Sequence, residues 1–501
     1  MKQKPIEELK RRLLEISHFI SVSSLLDWDQ QVNMPIKGAD NRAVSVAHIS
    51  SLIHSRTLAL DSDGLLTKLK RQLDNKNISG QNAVIVAETW RGFERAKKLP
   101  AKFVHEMAEI SAKAQNVWAE ARAKNDFKLF LPWLQKIVAL KRQEAKYIGY
   151  KDSPYDALID SYEQGMTTAE TIKILNDLKD FLIPFLKKIS ATKTKLIPSP
   201  KGDFPIDRQL AFNKKMTETI GFDLEAGRLD KSTHPFTLNL HPNDVRITTR
   251  FKEHDLLYAI GSTIHETGHA LYEQGLLTKH FGTPLGEYIS LGIHESQSRL
   301  WENNIGKSLS FWKYFYPKLQ KEFPIPYKKI PLADFYKLIN QVHPSLIRTE
   351  ADEVTYNLHI IIRFEIEREM IEGTIDLADL PAIWRAKVKE YLGIEVPNDT
   401  QGVLQDVHWS GGMIGYFPTY SFGNLYAAQF CASMEKQIPD LKKKLENGDF
   451  AVVKNWLNKN IHRHGKTYSA DALVKKVTGE SLNSRYFAEY LKNKYEELYD
   501  V

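Results

Sequence analysis

One cysteine, Cys431, in 501 residues leaves no partner for a disulfide within the chain. No stretch approaches the roughly 18 uncharged apolar residues that a membrane-spanning helix needs. The opening residues Met1–Arg12 mix Lys2, Lys4, Lys10, Arg11 and Arg12 with Glu7 and Glu8, which is the pattern of neither a signal peptide nor an anchor. An excess of one charge sign is also lacking. Lys and Arg number 69 against 62 Asp and Glu, a net +7 with no basic block, so neither nucleic acid nor a membrane surface is an expected partner. No internal repeat stands out. The expectation is a cytoplasmic globular protein, whose 42% hydrophobic residues suffice for a large core.

Apolar residues recur at helical spacing, as in Ile6, Leu9, Leu13, Leu14 and Ile16 and again in Ile174, Leu178, Phe181 and Leu182. Helical stretches also fill Ala83 to Ala123, Phe311 to Glu322, Ala351 to Glu372 and Pro439 to Tyr499, so the chain is expected to be mainly α. Between Ser190 and Asp207, Pro198, Pro200 and Pro205 interrupt the pattern and predict a surface connection. Two strand-like runs follow, His234 to Leu240 and Asp244 to Phe251, joined through His241, Pro242 and Asn243 as a hairpin. An exposed strand edge can bind an extended peptide through its main chain.

The segment Ile260 to Tyr272, IGSTIHETGHALY, embeds HExxH in an amphipathic helix. Residues four apart share a helix face about 6 Å apart at Cβ, so His265 and His269 can hold one ion. Glu266, rotated by roughly 100°, flanks that face and can reach the attacking water without being a ligand. Gly268 costs about 1 kcal/mol relative to Ala inside a helix, which predicts a close approach there. The bland alternative is a chance match on an ordinary helix. A catalytic zinc site takes a third protein ligand and keeps an open position. Glu295, in LGIHESQSRLWEN (Leu291 to Asn303), is the preferred donor, with His294 and Glu302 as competitors. The fourth residue after Glu295, an Asp in many zinc peptidases of this architecture, is Arg299 here, so the histidines must be supported differently.

Beside HETGH and HESQSR (His294 to Arg299), the chain has HPF at His234 to Phe236, IRTEAD at Ile347 to Asp352 and GVLQDVHW at Gly402 to Trp409. Supporting stretches are DWDQQVNMP from Asp27, PYDALIDSYEQGMT from Pro154, DVRITTR from Asp244 and GYFPTYSFGNLYAAQ from Gly415. Over nearly its full length the sequence thus resembles the carboxypeptidase Taq family of metallocarboxypeptidases. The resemblance implies a helical, two-lobed peptidase forming a single catalytic unit over 1–501, with a deep central groove, a small sheet beside the zinc helix, and a homodimer. It implies one Zn2+ per chain, with Co2+ able to substitute. The implied activity is release of single C-terminal residues, with broad preference, from peptides with a free C-terminus. A zinc oligopeptidase or dipeptidyl carboxypeptidase of related fold is the alternative.

The same resemblance assigns the remaining roles. His408 and Tyr420 match positions suited to stabilising the oxyanion, against the plain reading of a core histidine and a packing tyrosine. Arg348 matches the reader of the C-terminal carboxylate, since a guanidinium grips a carboxylate bidentately. A local salt bridge from Arg348 to Asp352 is the ordinary alternative. His234 is a further substrate-binding candidate. Glu266 is the general base, and His265, His269 and Glu295 are the metal ligands.

Overall fold

The computed structural model describes residues 4–192, 194 and 196–500. Two hydrophobic cores organise the helices. The smaller joins Leu9, Ile16, Leu66, Leu69, Ile85, Val86 and Phe93 from helices near the start of the chain with Leu285 from the turn before the metal site. The larger runs from Ala114 to Tyr499 and encloses both HExxH-region helices. Among the described residues no helix is long and apolar enough to cross a membrane.

The predicted helical stretches are present but more finely divided. Ala83 to Ala123 is two helices, Gly80–Lys98 and Ala101–Lys124, because Pro100 cannot donate a helical N–H and instead begins the second. The stretch Ala351 to Glu372 becomes helical only at Tyr356, since Asp352 Oδ1 accepts from the N–H groups of Val354 and Thr355 and closes a turn first. The C-terminal stretch divides into Leu441–Glu446, Ala451–Asn460, Ala470–Thr478 and Arg485–Tyr499. Between the helices Thr168–Ser190 and Ile206–Ile220 the described residues of the proline-rich connection form no helix or strand, and Gln341 Nε2 donates to the Ile197 carbonyl at 2.9 Å.

The sheet has three strands, β1 (Gly227–Lys231), β2 (Phe236–His241) and β3 (Asp244–Thr249), in the order β1-β3-β2. β2 and β3 form the expected antiparallel hairpin, closed at His241 and Asp244 by the turn Pro242–Asn243. β1 was not foreseen, because GRLDK carries a single buried apolar residue, Leu229, and pairs in parallel with β3 by tertiary contact alone. The strand also starts later than read from sequence: His234 lies outside β2, in an exposed bend before Pro235. DWDQQVNMP acquires a packing role here, since the guanidinium groups of Arg246 and Arg228 lie 4.4 and 4.8 Å from the Trp28 ring.

Candidate metal centre

The helix Leu256–Gly275 starts on Asp255, whose side chain accepts from Tyr258 N, and buries Leu256, Ile260, Ile264 and Leu271. That burial fixes its rotation and turns His265, Glu266 and His269 into a cavity of about 320 Å³. The second helix, Leu291–Arg299, contributes Glu295 to the same cavity. Its approach explains Gly268: a Cβ there would lie 2.5 Å from the Gln297 carbonyl oxygen, so only glycine permits the two backbones to come this close.

One donor atom from each of His265, His269 and Glu295 falls within 4.8 Å of the other two. Glu295 Oε2 is 3.7 Å from His265 Nε2 and 3.3 Å from His269 Nε2. Donors held about 2.1 Å from one tetrahedral ion would lie about 3.4 Å apart, so the set fits a single metal of zinc's dimensions. The competitors point elsewhere. His294 stacks on His269 at 4.5 Å and places its Nε2 2.7 Å from Glu273 Oε1. Glu302 Oε2 lies 2.8 Å from His265 Nδ1, fixing that ring and freeing its Nε2 for the ion.

Arg299 completes this support. Its Nε donates to Glu295 Oε1 at 2.7 Å and its Nη1 to Glu302 Oε2 at 3.2 Å, while its guanidinium lies 4.4 Å from the Tyr356 ring. Burial opposes ionisation of Glu302, but Arg299 and His265 outweigh it and bring its pKa down to about 2. The sequence departs from the usual Asp because the carboxylate that orients His265 comes seven residues after Glu295, from the π-helical stretch Leu300–Ile305.

Glu266 lines the cavity without joining the donors. Its Oε2 accepts from Thr237 Oγ1 at 2.7 Å, and burial raises its pKa, which favours a base able to take and return a proton. Asn239, two residues along β2 and therefore on the same face, donates to Glu273 Oε2 at 2.5 Å. The small sheet thus latches onto the metal helix at two points.

His408 and Tyr420 do meet: His408 Nε2 is 3.1 Å from the Tyr420 hydroxyl, and Tyr420 lines the metal cavity together with Tyr416. Burial lowers His408 to about 4 and holds the Tyr420 pKa well above its ordinary value, so at neutral pH the imidazole is neutral and the phenol keeps its proton. Arg348 lies behind them, its guanidinium 4.9 Å from the Tyr420 ring. Its partner is Asp406, not Asp352. Nε and Nη2 reach Asp406 Oδ1 at 3.1 and 3.0 Å and Nη1 reaches Tyr356 OH at 3.0 Å. Arg363 holds the other oxygen of Asp406, with Nη2 at 2.6 Å. His234 is not brought to the metal cavity. Asp406, Tyr416 and Thr237 had not been singled out, although each lies inside or beside a motif that had.

A helical fold with two histidines and a glutamate around one point, and a second glutamate beside them, is that of a metal-dependent peptide hydrolase. A family model for carboxypeptidase Taq (M32) metallopeptidases matches residues 8–495. Carboxypeptidase 1 of Bacillus subtilis is 40% identical over 488 residues, covering 97% of each chain. Thermostable carboxypeptidase 1 of Pyrococcus furiosus is 41% identical over 97% of this chain and 96% of its own. The crystal structure of an M32 carboxypeptidase from Deinococcus radiodurans superposes with a TM-score of 0.95 at 37% identity, covering all of both chains. The chain belongs to the carboxypeptidase Taq (M32) family and is a metallocarboxypeptidase.

Proposed function

We propose that this enzyme is a zinc carboxypeptidase that removes single residues of broad identity from peptides with a free C-terminus, with Glu266 as general base. The observation that carries the reading is Glu266 itself, a buried carboxylate that lines the cavity of the donor set and is not one of the donors. A bound Zn2+, held by His265, His269 and Glu295, would supply Lewis-acid polarisation and lower the pKa of water, and Co2+ suits the same two imidazoles and carboxylate. Glu266 takes the proton of the attacking water and passes it to the leaving amine, with Thr237 holding the carboxylate in place. The Tyr420 hydroxyl, oriented by His408, donates to the developing oxyanion. The edge strand β2 runs beside the cavity and offers main-chain partners to an extended peptide.

Arg348 is proposed to pair with the substrate's terminal carboxylate. Three of its N–H groups are engaged by Asp406 and Tyr356, which leaves two of a guanidinium's five for a ligand. His234, exposed and next in sequence to Pro235, which lines the cavity, is proposed only to contact substrate, not to take part in the chemistry. We further propose one catalytic unit over 1–501, a homodimer and a cytoplasmic location. The first is supported by Leu285, which joins the small core of the N-terminal helices, and by Ser21 Oγ, which donates to the Leu240 carbonyl of β2.

Glu266→Gln tests the mechanism. Zinc content, measured by elemental analysis, should stay at the wild-type level while kcat falls at least about 100-fold, since the amide cannot accept the proton. Normal hydrolysis by this variant would end the assignment. Incubating a defined peptide and identifying the first fragment released separates single-residue release from dipeptide release or internal cleavage.

A further inference from the structure

PYDALIDSYEQGMT, from Pro154 to Thr167, contributes neither a ligand nor a side chain to the metal cavity. One of its residues is nevertheless wired to the helix that carries Glu295. Glu163 is 1% exposed, and among the described residues no Lys or Arg pairs with it. Its Oε2 accepts from Gly292 N at 2.9 Å, and its Oε1 from Ser290 Oγ at 2.9 Å and Tyr426 OH at 3.1 Å. Ser290 Oγ in turn accepts from Ile293 N at 3.1 Å, and the neighbouring Tyr162 carbonyl accepts from Leu291 N at 3.1 Å. The first three N–H groups of the helix, which have no partner within it, are therefore satisfied directly or through Ser290 by Tyr162 and Glu163.

Resting on the reading of Glu295 as a metal ligand, we infer that Glu163 is a positioning residue that sets the depth and rotation of the Leu291–Arg299 helix and so aims Glu295 at the metal. Three features make this more than an ordinary cap. Both of its oxygens are engaged, Oε2 by the Gly292 N–H and Oε1 by the Ser290 and Tyr426 hydroxyls, so truncating the side chain leaves three groups without their partner at once. Gly292 is required for the contact, since a Cβ there would lie 2.6 Å from Glu163 Oε2. The lever is short as well, because Glu295 follows Gly292 by three residues, about 4.5 Å along the axis. A displaced first turn reaches the ligand within one helical turn. Burial raises the Glu163 carboxyl to about 7, and its protonated form keeps the same contacts by donating to a hydroxyl oxygen.

Cobalt titration of the metal-free full-length enzyme tests the inference without reference to turnover. Wild type, Glu163→Ala and Glu295→Ala are titrated with Co2+, following both affinity and the visible d–d bands that report ligand geometry. Glu163→Ala should bind Co2+ about 10-fold or more weakly, the range found when a group orienting a metal ligand is lost, with altered bands. Glu295→Ala should lose more. If Glu163→Ala lowers the Tm but keeps wild-type affinity and bands, Glu163 is a structural cap only and the inference is overturned. If Glu295→Ala binds Co2+ as the wild type does, the ligand assignment itself fails and the inference falls with it. Should Glu163→Ala not fold, Tyr426→Phe removes one of the three donors with no change of shape. It should weaken Co2+ binding about 3-fold while leaving circular dichroism unchanged, and wild-type affinity in that variant would count against the inference equally.

Discussion

Asp406 sits between two guanidinium groups, and this arrangement decides how substitutions at Arg348 will read. Burial opposes its ionisation, but Arg363 and Arg348 hold it well below the ordinary carboxylate range. Removing Arg348 leaves Asp406 still paired with Arg363, whereas Asp406→Asn leaves two buried cations facing each other. Asp406→Asn should therefore destabilise the fold by about 3–5 kcal/mol in chemical denaturation, more than Arg348→Ala does. For function, Arg348→Ala should lower kcat/KM on peptides with a free C-terminus by roughly 30-fold or more. Amidating the peptide should then cost the variant much less than the wild type. Equal amide penalties in both enzymes would remove Arg348 from the substrate site. At Glu302 the expectation is different: Glu302→Ala loses the partner of His265 Nδ1, and zinc affinity measured by chelator competition should drop about 10- to 100-fold with the three ligands intact.

Among the described residues the candidate metal donors His265, His269 and Glu295 come from two helices, Leu256–Gly275 and Leu291–Arg299, and their separation is the critical dimension. Gly268→Ala sets two opposing effects against each other. Ala is favoured over Gly by about 1 kcal/mol within a helix. The added methyl, however, would meet backbone atoms of Gln297 and Ser298 at 2.5 and 2.6 Å, and backbone cannot step aside as a side chain can. Overpacking of this kind costs about 1–3 kcal/mol, so the packing term should win. The variant should unfold at lower denaturant concentration and bind zinc more weakly. A stabilised Gly268→Ala would show that the helices can separate freely.

Across the whole molecule, acid stability follows from what is buried. The imidazoles of His359, His408 and His462 are depressed by burial to about 3, about 4 and about 3. A folded pKa below the unfolded value of about 6.5 contributes stability in full above that pH, and the contribution is lost as pH falls towards 3–4. Asp406 and Glu302, held below ordinary carboxylate values, act in the same direction below about pH 4. Glu163 and Glu367, raised by burial to about 7, act oppositely: stability declines as pH rises from about 4.5 to 7 and then stays level. The two groups partly cancel between pH 4.5 and 6.5, and below 4.5 only the destabilising effect of acid remains. Calorimetry of the metal-free enzyme should show a Tm that varies little from pH 5 to 6.5 and falls steeply below 4.5. A flat Tm down to pH 3 would contradict these burials.

The sequence by itself determined the helical class, the hairpin β2–β3 and the HExxH face with Glu266 beside it. Each is encoded locally, in a period of 3.6 or 2 or in a spacing of four residues, so no long-range information is needed. It also indicated that something presses on Gly268 and that Arg299 displaces the customary support. What presses there, and what replaces that support, only the tertiary structure decided. Gln297 and Glu302 are brought to the metal helix by packing between helices, and β1 exists only because β3 lies alongside it. The partner of Arg348 follows the same logic. A sequence suggests the neighbour four residues on, yet Asp352 spends its oxygens on a turn and Asp406, from a distant loop, takes the guanidinium. Local periodicity fixes which face of an element looks inward, while the identity of what it meets there depends on how the elements pack.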